Sequence, residues 1–309
     1  MSTTHAASHP GDAAPFTLEH VTSGPMPGAV ILRLEQPGRP VVVLDHELIR
    51  RLDATLRSIP AGVTGLVLAS ASSRVFVAGA DLRAITDWSD PQLDAYLKFA
   101  ADVYVRLATL PFPTVAAING AALGGGLELP MHCDAMVAAP GPKPYAVGLP
   151  ETGLGLCPGW GGTNLLPASV NDPAAAIRAT CEGKPFMFDD AVALGLFVRV
   201  APTQEQLIPV ALEQLAALRS EGYPKHGGRA DLWGQMPAQA AATGKALEAV
   251  RASLPATAAA SACVDALNVG LSRGYLAALD CERAHLVQLR HTEVARQKLA
   301  EFFARATKG

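Results

Sequence analysis

Runs of basic residues, paired cysteine motifs and long uncharged apolar stretches are missing from this chain, and each absence removes a class of function. Lysine and arginine total 25 against 28 aspartate and glutamate, a net charge of −3 over 309 residues. With no basic cluster, nucleic acid and anionic membrane surfaces are not expected partners. The five cysteines, at 133, 157, 181, 263 and 281, are odd in number and form no CxxC or zinc-type spacing. They read as reduced, mostly buried thiols of a cytoplasmic protein. Pro111 to Pro142 is the longest weakly charged stretch, but Glu128, Asp134 and its glycines make it a poor membrane span. The opening MSTTHAASHPGDAAP lacks the basic and apolar regions of a signal peptide and has no arginine to suggest a transit sequence. Residues 1–15 are expected to form a disordered lead.

What is present is a large apolar fraction. Half of the residues are hydrophobic and 17% are charged, enough to bury one large α/β core or two smaller ones. The low charge fits subunit interfaces, and equally an alanine-rich composition. FTLEHVT (16–22) and AVILRLE (29–35) predict a hairpin across SGPMPG. DHELIRRLDATLRSI (45–59) has apolar residues at 48, 49, 52, 56 and 59, a helical spacing. GLVLAS (65–70) predicts a buried strand, and FVAGAD (76–81) leaves a strand for a glycine-containing turn. A helix over 90–109 stops at PFP, TVAAING (114–120) is the next strand, and GGGLELPMH begins a helix. DAMVAAP and PYAVG (144–148) are short strands. This alternation predicts an α/β fold with right-handed crossovers. Beyond about residue 203 the pattern turns helical, over 203–219, 238–253 and 257–305, with EGYPKHGGRAD as a loop. The expected organisation is a lead over 1–15, an α/β core over 16–201 and a helical region over 202–309.

The stretch NGAALGGGLELPMHCD (119–134) sets three glycines ahead of a glutamate in an apolar run. Glycine is a poor helix former and a carboxylate is costly to bury. Two readings stay open on the run alone. One is a tight crossing that needs glycine for close packing. The other is an anion or oxyanion site, because a helix start aims free N–H groups outward. The spacing is neither a dinucleotide fingerprint nor a phosphate loop. VAGAD (77–81) offers a second donor turn, or an ordinary turn in which Asp81 caps the next helix. Glu151, in GLPETGLGLCPGWGGT (148–163), has proline, glycine and leucine on both sides, which favours a lined cavity over a solvated loop. HCD (132–134) looks like a metal cluster, but adjacent residues on one element do not converge on one ion, so buried packing is expected and no metal site is assigned. His226 reads as solvated.

In order and spacing, VFVAGADL, PTVAAINGAALGGGLELPMHCD and VGLPETGLGLCPGWGGT resemble the crotonase superfamily of enoyl-CoA hydratases and isomerases. Weaker similarity continues over 174–202. The C-terminal ALDCERAHLVQLRHTEVARQKLAEFFA is similar to the closing helices of the hydratase module in bifunctional fatty-oxidation enzymes, without the dehydrogenase half. The resemblance implies a crotonase-type spiral of ββα units, with C-terminal helices used in a homotrimer or dimer of trimers. It implies an acyl-CoA thioester substrate and no cofactor beyond the coenzyme A carried by that substrate. It further implies that the N–H groups of Ala80 and Gly125 form an oxyanion hole, and that Glu128 and Glu151 are the paired carboxylates of a hydratase. Gly159 would help place the water through its backbone. Ala78, Gly79, Asp81, Gly124, Pro150 and Trp160 fall beside these positions and are expected to line the substrate site.

A division of labour follows from the sequence around the two acids. Glu128 falls in the first turn of its helix, where the dipole favours the ionised form. Glu151 sits among apolar neighbours that favour the protonated form. Isomerases of the family can work with the equivalent of Glu151 alone, so holding both acids points to hydration. A Δ3-Δ2 enoyl-CoA isomerase and a catalytically silent acyl-CoA-binding subunit are the alternatives. Two departures stand out: PVVVL with Val42 where relatives commonly carry asparagine, and the bulky Trp160. Trp160 would favour short or unusual acyl chains if it entered the acyl pocket, and would mean nothing for specificity if it packed on the C-terminal helices. Arg305 is a family-based candidate for meeting coenzyme A phosphates across a subunit boundary.

Overall fold

The strands fall into two sheets in the computed structural model, which describes residues 13–39, 41–221 and 231–306. Most of the expected lead, most of the loop over 221–231 and His226 lie outside the described residues. In chain order the strands are β1 (Leu18–His20), β2 (Val30–Leu34), β3 (Leu66–Ser70), β4 (Val75–Val77), β5 (Thr114–Ile118), β6 (Ala121–Leu123), β7 (Ala135–Ala138), β8 (Ala146–Gly148), β9 (Phe186–Met187) and β10 (Arg199–Val200). One sheet has the order β1-β2-β3-β5-β7-β10 and the other β4-β6-β8-β9. β1–β2 and β8–β9 pair antiparallel; the remaining pairings are parallel.

The chain therefore steps repeatedly from the larger sheet to the smaller: β3 to β4, β5 to β6, β7 to β8. Each pair of strands is followed by helix, which gives the crotonase-type spiral of ββα units. The steps are pinned locally. Asn119 donates its side-chain amide to Ser72 O at 2.6 Å, and a Cβ on Gly120 would collide with Arg74 O. The strand β6 is absent from the expectation of one strand leading straight into a helix. At three residues, AAL, it carries too little pattern to show by itself, and its partner Val75–Val77 is remote in sequence.

The inner strands β2, β3, β5 and β7 of the larger sheet are buried on both faces, as parallel strands covered from both sides are. Ile31, Val67, Val115 and Val137 face the helix Leu207–Ser220, which contributes Leu207, Leu215 and Leu218. The intervening Leu32, Leu66, Leu68, Ala116 and Ile118 face the main core. Asp45 caps the helix His46–Ser58 by accepting from Leu48 N–H at 2.8 Å. The helix Asp90–Ala108 runs up to the Pro111–Pro113 segment, as PFP predicts.

No strand follows β10 among the described residues. The helical span expected over 257–305 is three helices, Ala258–Arg273, Tyr275–Leu289 and Glu293–Ala306. The first break is Gly274, whose φ of +93° reverses the chain at a value that side-chain-bearing residues rarely take. Among the described residues no helix is long and apolar enough to cross a membrane.

Candidate active site

Because β4, β6 and β8 are neighbouring parallel strands, their C-terminal ends lie side by side, the usual place for ligands in open parallel sheets. Each end leads into one candidate segment: Ala78–Asp81 after β4, Gly124–Glu128 after β6 and Leu149–Glu151 after β8. Together with the loop over 156–160 they line one cavity of about 560 Å³. All eleven site residues expected from the sequence border it: Ala78, Gly79, Ala80, Asp81, Gly124, Gly125, Glu128, Pro150, Glu151, Gly159 and Trp160. Leu97, Leu286, Phe302 and Phe303 add apolar surface from helices.

The three consecutive glycines are required by three different neighbours. A Cβ on Gly124 would collide with Glu151 Oε1, on Gly125 with the Trp160 ring, and on Gly126 with Val77 O. Gly124 also takes φ +55° and donates its N–H to Gly148 O at 2.8 Å, tying β6 to β8. Gly125 then opens the helix Gly125–Met131, so its N–H has no acceptor within that helix. On the other turn, Leu44 bridges across Ala80, with Leu44 N–H donating to Gly79 O and Asp81 N–H donating to Leu44 O. The Ala80 N–H takes no part in that bridge. Two backbone donors thus border the cavity from β4 and β6. Asp81 does what its turn allowed, capping Leu82–Asp87 by accepting from Arg83 N–H at 3.0 Å, while also lining the cavity.

The two glutamates differ in what surrounds them. Glu128 is 1% exposed, and its Oε1 accepts from the N–H groups of Trp160 and Gly162, both at 2.8 Å. Burial pushes its carboxyl up to about 7, against the pull of those two amides and of the Gly159 backbone toward the charged form. The sequence had credited the dipole of Glu128's own helix. The N–H groups that meet the carboxylate come instead from the PGWGG loop, and desolvation outweighs them. Glu151 starts the 3₁₀ turn Glu151–Leu154 behind Pro150. Its Oε2 is buried and has no hydrogen-bond partner among the described residues. Burial, then the Glu128 and Glu282 charges, raise it well above the usual carboxylate range. Environments that push two carboxyls apart in this way suit one to accept a proton and the other to donate one.

Trp160 borders the cavity, and its packing falls elsewhere than on the expected C-terminal helices. It is 2% exposed, donates Nε1–H to Leu97 O at 3.0 Å, and meets Tyr96 and Tyr104 edge-on. Its packing partner is mainly the helix Asp90–Ala108 rather than the C-terminal helices, and its ring also borders the cavity. The HCD residues diverge. His132 Nδ1 faces Glu128 O at 2.8 Å and its Nε2 meets the Tyr275 hydroxyl at 2.9 Å. Cys133 is buried, and Asp134 accepts from Thr114 N–H and Oγ1–H at 2.8 and 2.9 Å. Val42 is buried and its carbonyl accepts from Ala78 N–H, holding the turn after β4. Arg305 is exposed beside Glu301 and does not border the cavity.

One residue was missed. Glu282, on Tyr275–Leu289, is 0% exposed and accepts from Gly161 and Thr163. Its signal was in the sequence: it shares a helical face with Tyr275, Leu279, Leu286 and Leu289, all buried. A glutamate within an apolar stripe is the pattern to look for.

Comparison with known proteins returns a consistent picture. The family described as Enoyl-CoA hydratase/isomerase matches residues 18–226. The fatty acid oxidation complex subunit alpha of Shewanella halifaxensis is 31% identical over 293 residues, 90% of this chain and 40% of that protein. The subunit of the same description from Shewanella loihica is 36% identical over 214 residues, 68% of this chain and 29% of that protein. The chain thus spans about 40% or less of the length of these relatives. Among solved structures, human mitochondrial delta3-delta2-enoyl-CoA isomerase superposes with a TM-score of 0.66 at 24% identity, over 91% of this chain and 95% of that one. An enoyl-CoA hydratase from Bacillus anthracis gives 0.59 at 25% identity, over 94% and 96%.

Proposed function

Because the chain belongs to the enoyl-CoA hydratase/isomerase family, we propose that it adds water across the double bond of a trans-2-enoyl-CoA thioester. The observation that carries this reading is the unequal pair of buried glutamates on one cavity. Glu128 accepts two amides and is pushed up to about 7 by burial, whereas burial and the neighbouring charges raise Glu151 well above the usual carboxylate range. A double-bond shift needs a single group to remove and return a proton, while hydration needs a base for water and an acid for carbon.

In this reading the thioester oxygen sits between the N–H groups of Ala80 and Gly125, which take up the negative charge that develops on it. Ionised Glu128 accepts a proton from water as the water oxygen bonds to C3. Glu151 gives its proton to C2, and the electron pair of the C2–C3 double bond closes the new C–H bond. The turnover leaves Glu128 protonated and Glu151 ionised, so a proton passes back before the next cycle. Gly159 contributes through its backbone beside Glu128. Ala78, Gly79, Asp81, Gly124, Pro150 and Trp160 shape the space around the acyl group. Coenzyme A enters as part of the substrate, and the reading calls for no metal or redox group. A cytoplasmic homotrimer or dimer of trimers belongs to the same proposal.

The test is the conjugated enoyl absorbance of crotonyl-CoA mixed with the protein. Rapid loss, abolished in Glu151→Gln, is the expected result. No loss, with appearance of that absorbance from a 3-enoyl-CoA, would replace hydration by isomerisation. No change with either ester, while the esters still bind, would make the chain a binding subunit.

A further inference from the structure

Four successive amides in the loop after β8 divide alternately between two buried carboxylates. Trp160 and Gly162 N–H donate to Glu128 Oε1, both at 2.8 Å. Gly161 N–H donates to Glu282 Oε2 at 2.5 Å and Thr163 N–H to Glu282 Oε1 at 3.0 Å, with the Thr163 hydroxyl on the same oxygen. The loop is clamped on the Glu282 side in a second way. Gly161 has φ +97°, and a Cβ there would collide with the Tyr275 hydroxyl, about two turns before Glu282 on the same helical face.

We propose that Glu282 is a positioning residue: by anchoring the Gly161 and Thr163 amides, it aims the Trp160 and Gly162 amides at Glu128 and so fixes the base of the site. Glu282 does not border the cavity, although Leu286, one turn along the same helix, does. Capping the seven-residue helix Gly162–Ala168 would not by itself demand a carboxylate. A neutral serine, threonine or asparagine caps equally well without the desolvation cost. A second buried acid beside Glu128 also makes the two titrations interdependent. The groups facing Glu282 are Glu128 from Gly125–Met131, Glu151 from the 3₁₀ turn, Cys157 from the loop, Cys263 from Ala258–Arg273 and Cys281 on its own helix. Burial and the Glu128 charge push Glu282 up to about 8. The charge of Glu282 in turn raises Glu151, whereas Glu128 is shifted by its burial and by the amides that Glu282 holds in line.

The kinetic side of the test rests on the hydratase reading, so wild-type activity is measured first and the variants are read as ratios to it. Glu282→Gln keeps the shape but replaces one of the two accepting oxygens with an NH2 donor, so the Gly161 and Thr163 amides are not both held. Its kcat on crotonyl-CoA is expected to fall about 10- to 100-fold, the scale of a misplaced reacting group, with KM within about threefold. The acid limb of kcat/KM is expected to move to higher pH, because Glu128 loses amides that favour its charge. Thr163→Val removes one donor to Glu282 and leaves both carboxylates; a smaller fall in kcat at constant KM is expected, and this variant decides the matter if Glu282→Gln does not fold. A Glu282→Gln enzyme with wild-type kcat and an unmoved acid limb overturns the proposal. So does a loss of kcat that merely tracks the folded fraction in thermal melts. Difference infrared titration of the protonated-carboxyl band gives a readout free of turnover: the Glu128 titration is expected to move to higher pH in Glu282→Gln, and an unmoved band refutes positioning. An inactive wild type would overturn the hydratase reading and leave the infrared titration to decide this one.

Discussion

Glu128 and Glu151 are the same residue type, buried on the same cavity, yet the chain treats them in opposite ways. Around Glu128 it spends backbone: two amides at 2.8 Å and the Gly159 backbone favour the charge, and the carboxyl settles at about 7. Glu151 has only its own backbone N–H; its Oε2 is buried without a partner among the described residues, and burial with the Glu128 charge lifts the carboxyl well above its usual range. The difference teaches that the acid–base character of a site is set by where the backbone sends its N–H groups and by which charge stands beside each carboxyl. Burial alone would have raised both alike.

The comparison breaks most visibly when the donor-poor partner is neutralised. Glu151→Gln copies the resting, protonated form, so its hydration rate is expected to fall about 10²–10⁴-fold while its melting temperature near pH 7 stays within roughly 2 °C of wild type. A comparable activity loss accompanied by a large drop in melting temperature would make Glu151 structural. Next in size is the donor at the other end of the site. Gly125→Ala forces a methyl group against the Trp160 ring and displaces one of the two amides bordering the cavity. A loss of about 10²–10³-fold in kcat is expected; a wild-type rate would show that the Gly125 amide holds no oxyanion.

The smallest effect is the pH dependence of stability. Glu128 and Glu282 rise from an ordinary 4.5 to about 7 and about 8 in the fold. The native state therefore binds more protons than the unfolded chain over that window. Stability is greatest at and below the unfolded value and declines as pH rises through about 4.5 to 8. Melting scans are expected to show a midpoint roughly 5 °C lower at pH 8 than at pH 5.5, and Glu282→Gln should flatten that slope. A midpoint that rises over the same interval would contradict the raised carboxyls.

Much of this was legible in the sequence. The apolar alternation of the buried strands, the helix starts at Asp45 and in the Gly125 run, and the family blocks placed every expected site residue on one cavity. What escaped was of two kinds. The strand β6 is only three residues, AAL, and its partners β4 and β8 lie tens of positions away on either side, so no local period reveals it. The supporting role of Glu282 depends on a contact 121 residues away in sequence. A reading by local pattern registers a glutamate within a helix and not what that glutamate faces. The helix break at Gly274 was similarly hidden, because one glycine in a long periodic stretch is tolerated as often as it terminates.

The separation between Gly161 and Glu282 also orders events in time. A chain emerging from the ribosome can pair the two sheets, fold back the Gly124–Gly126 turn and bury Glu128 before the helix Tyr275–Leu289 exists. Until that helix docks, the Gly161 and Thr163 amides have no carboxylate. The site is therefore assembled last, from a segment synthesised more than a hundred residues after the residues it steadies. A truncated or stalled chain would hold the architecture of the site without its alignment.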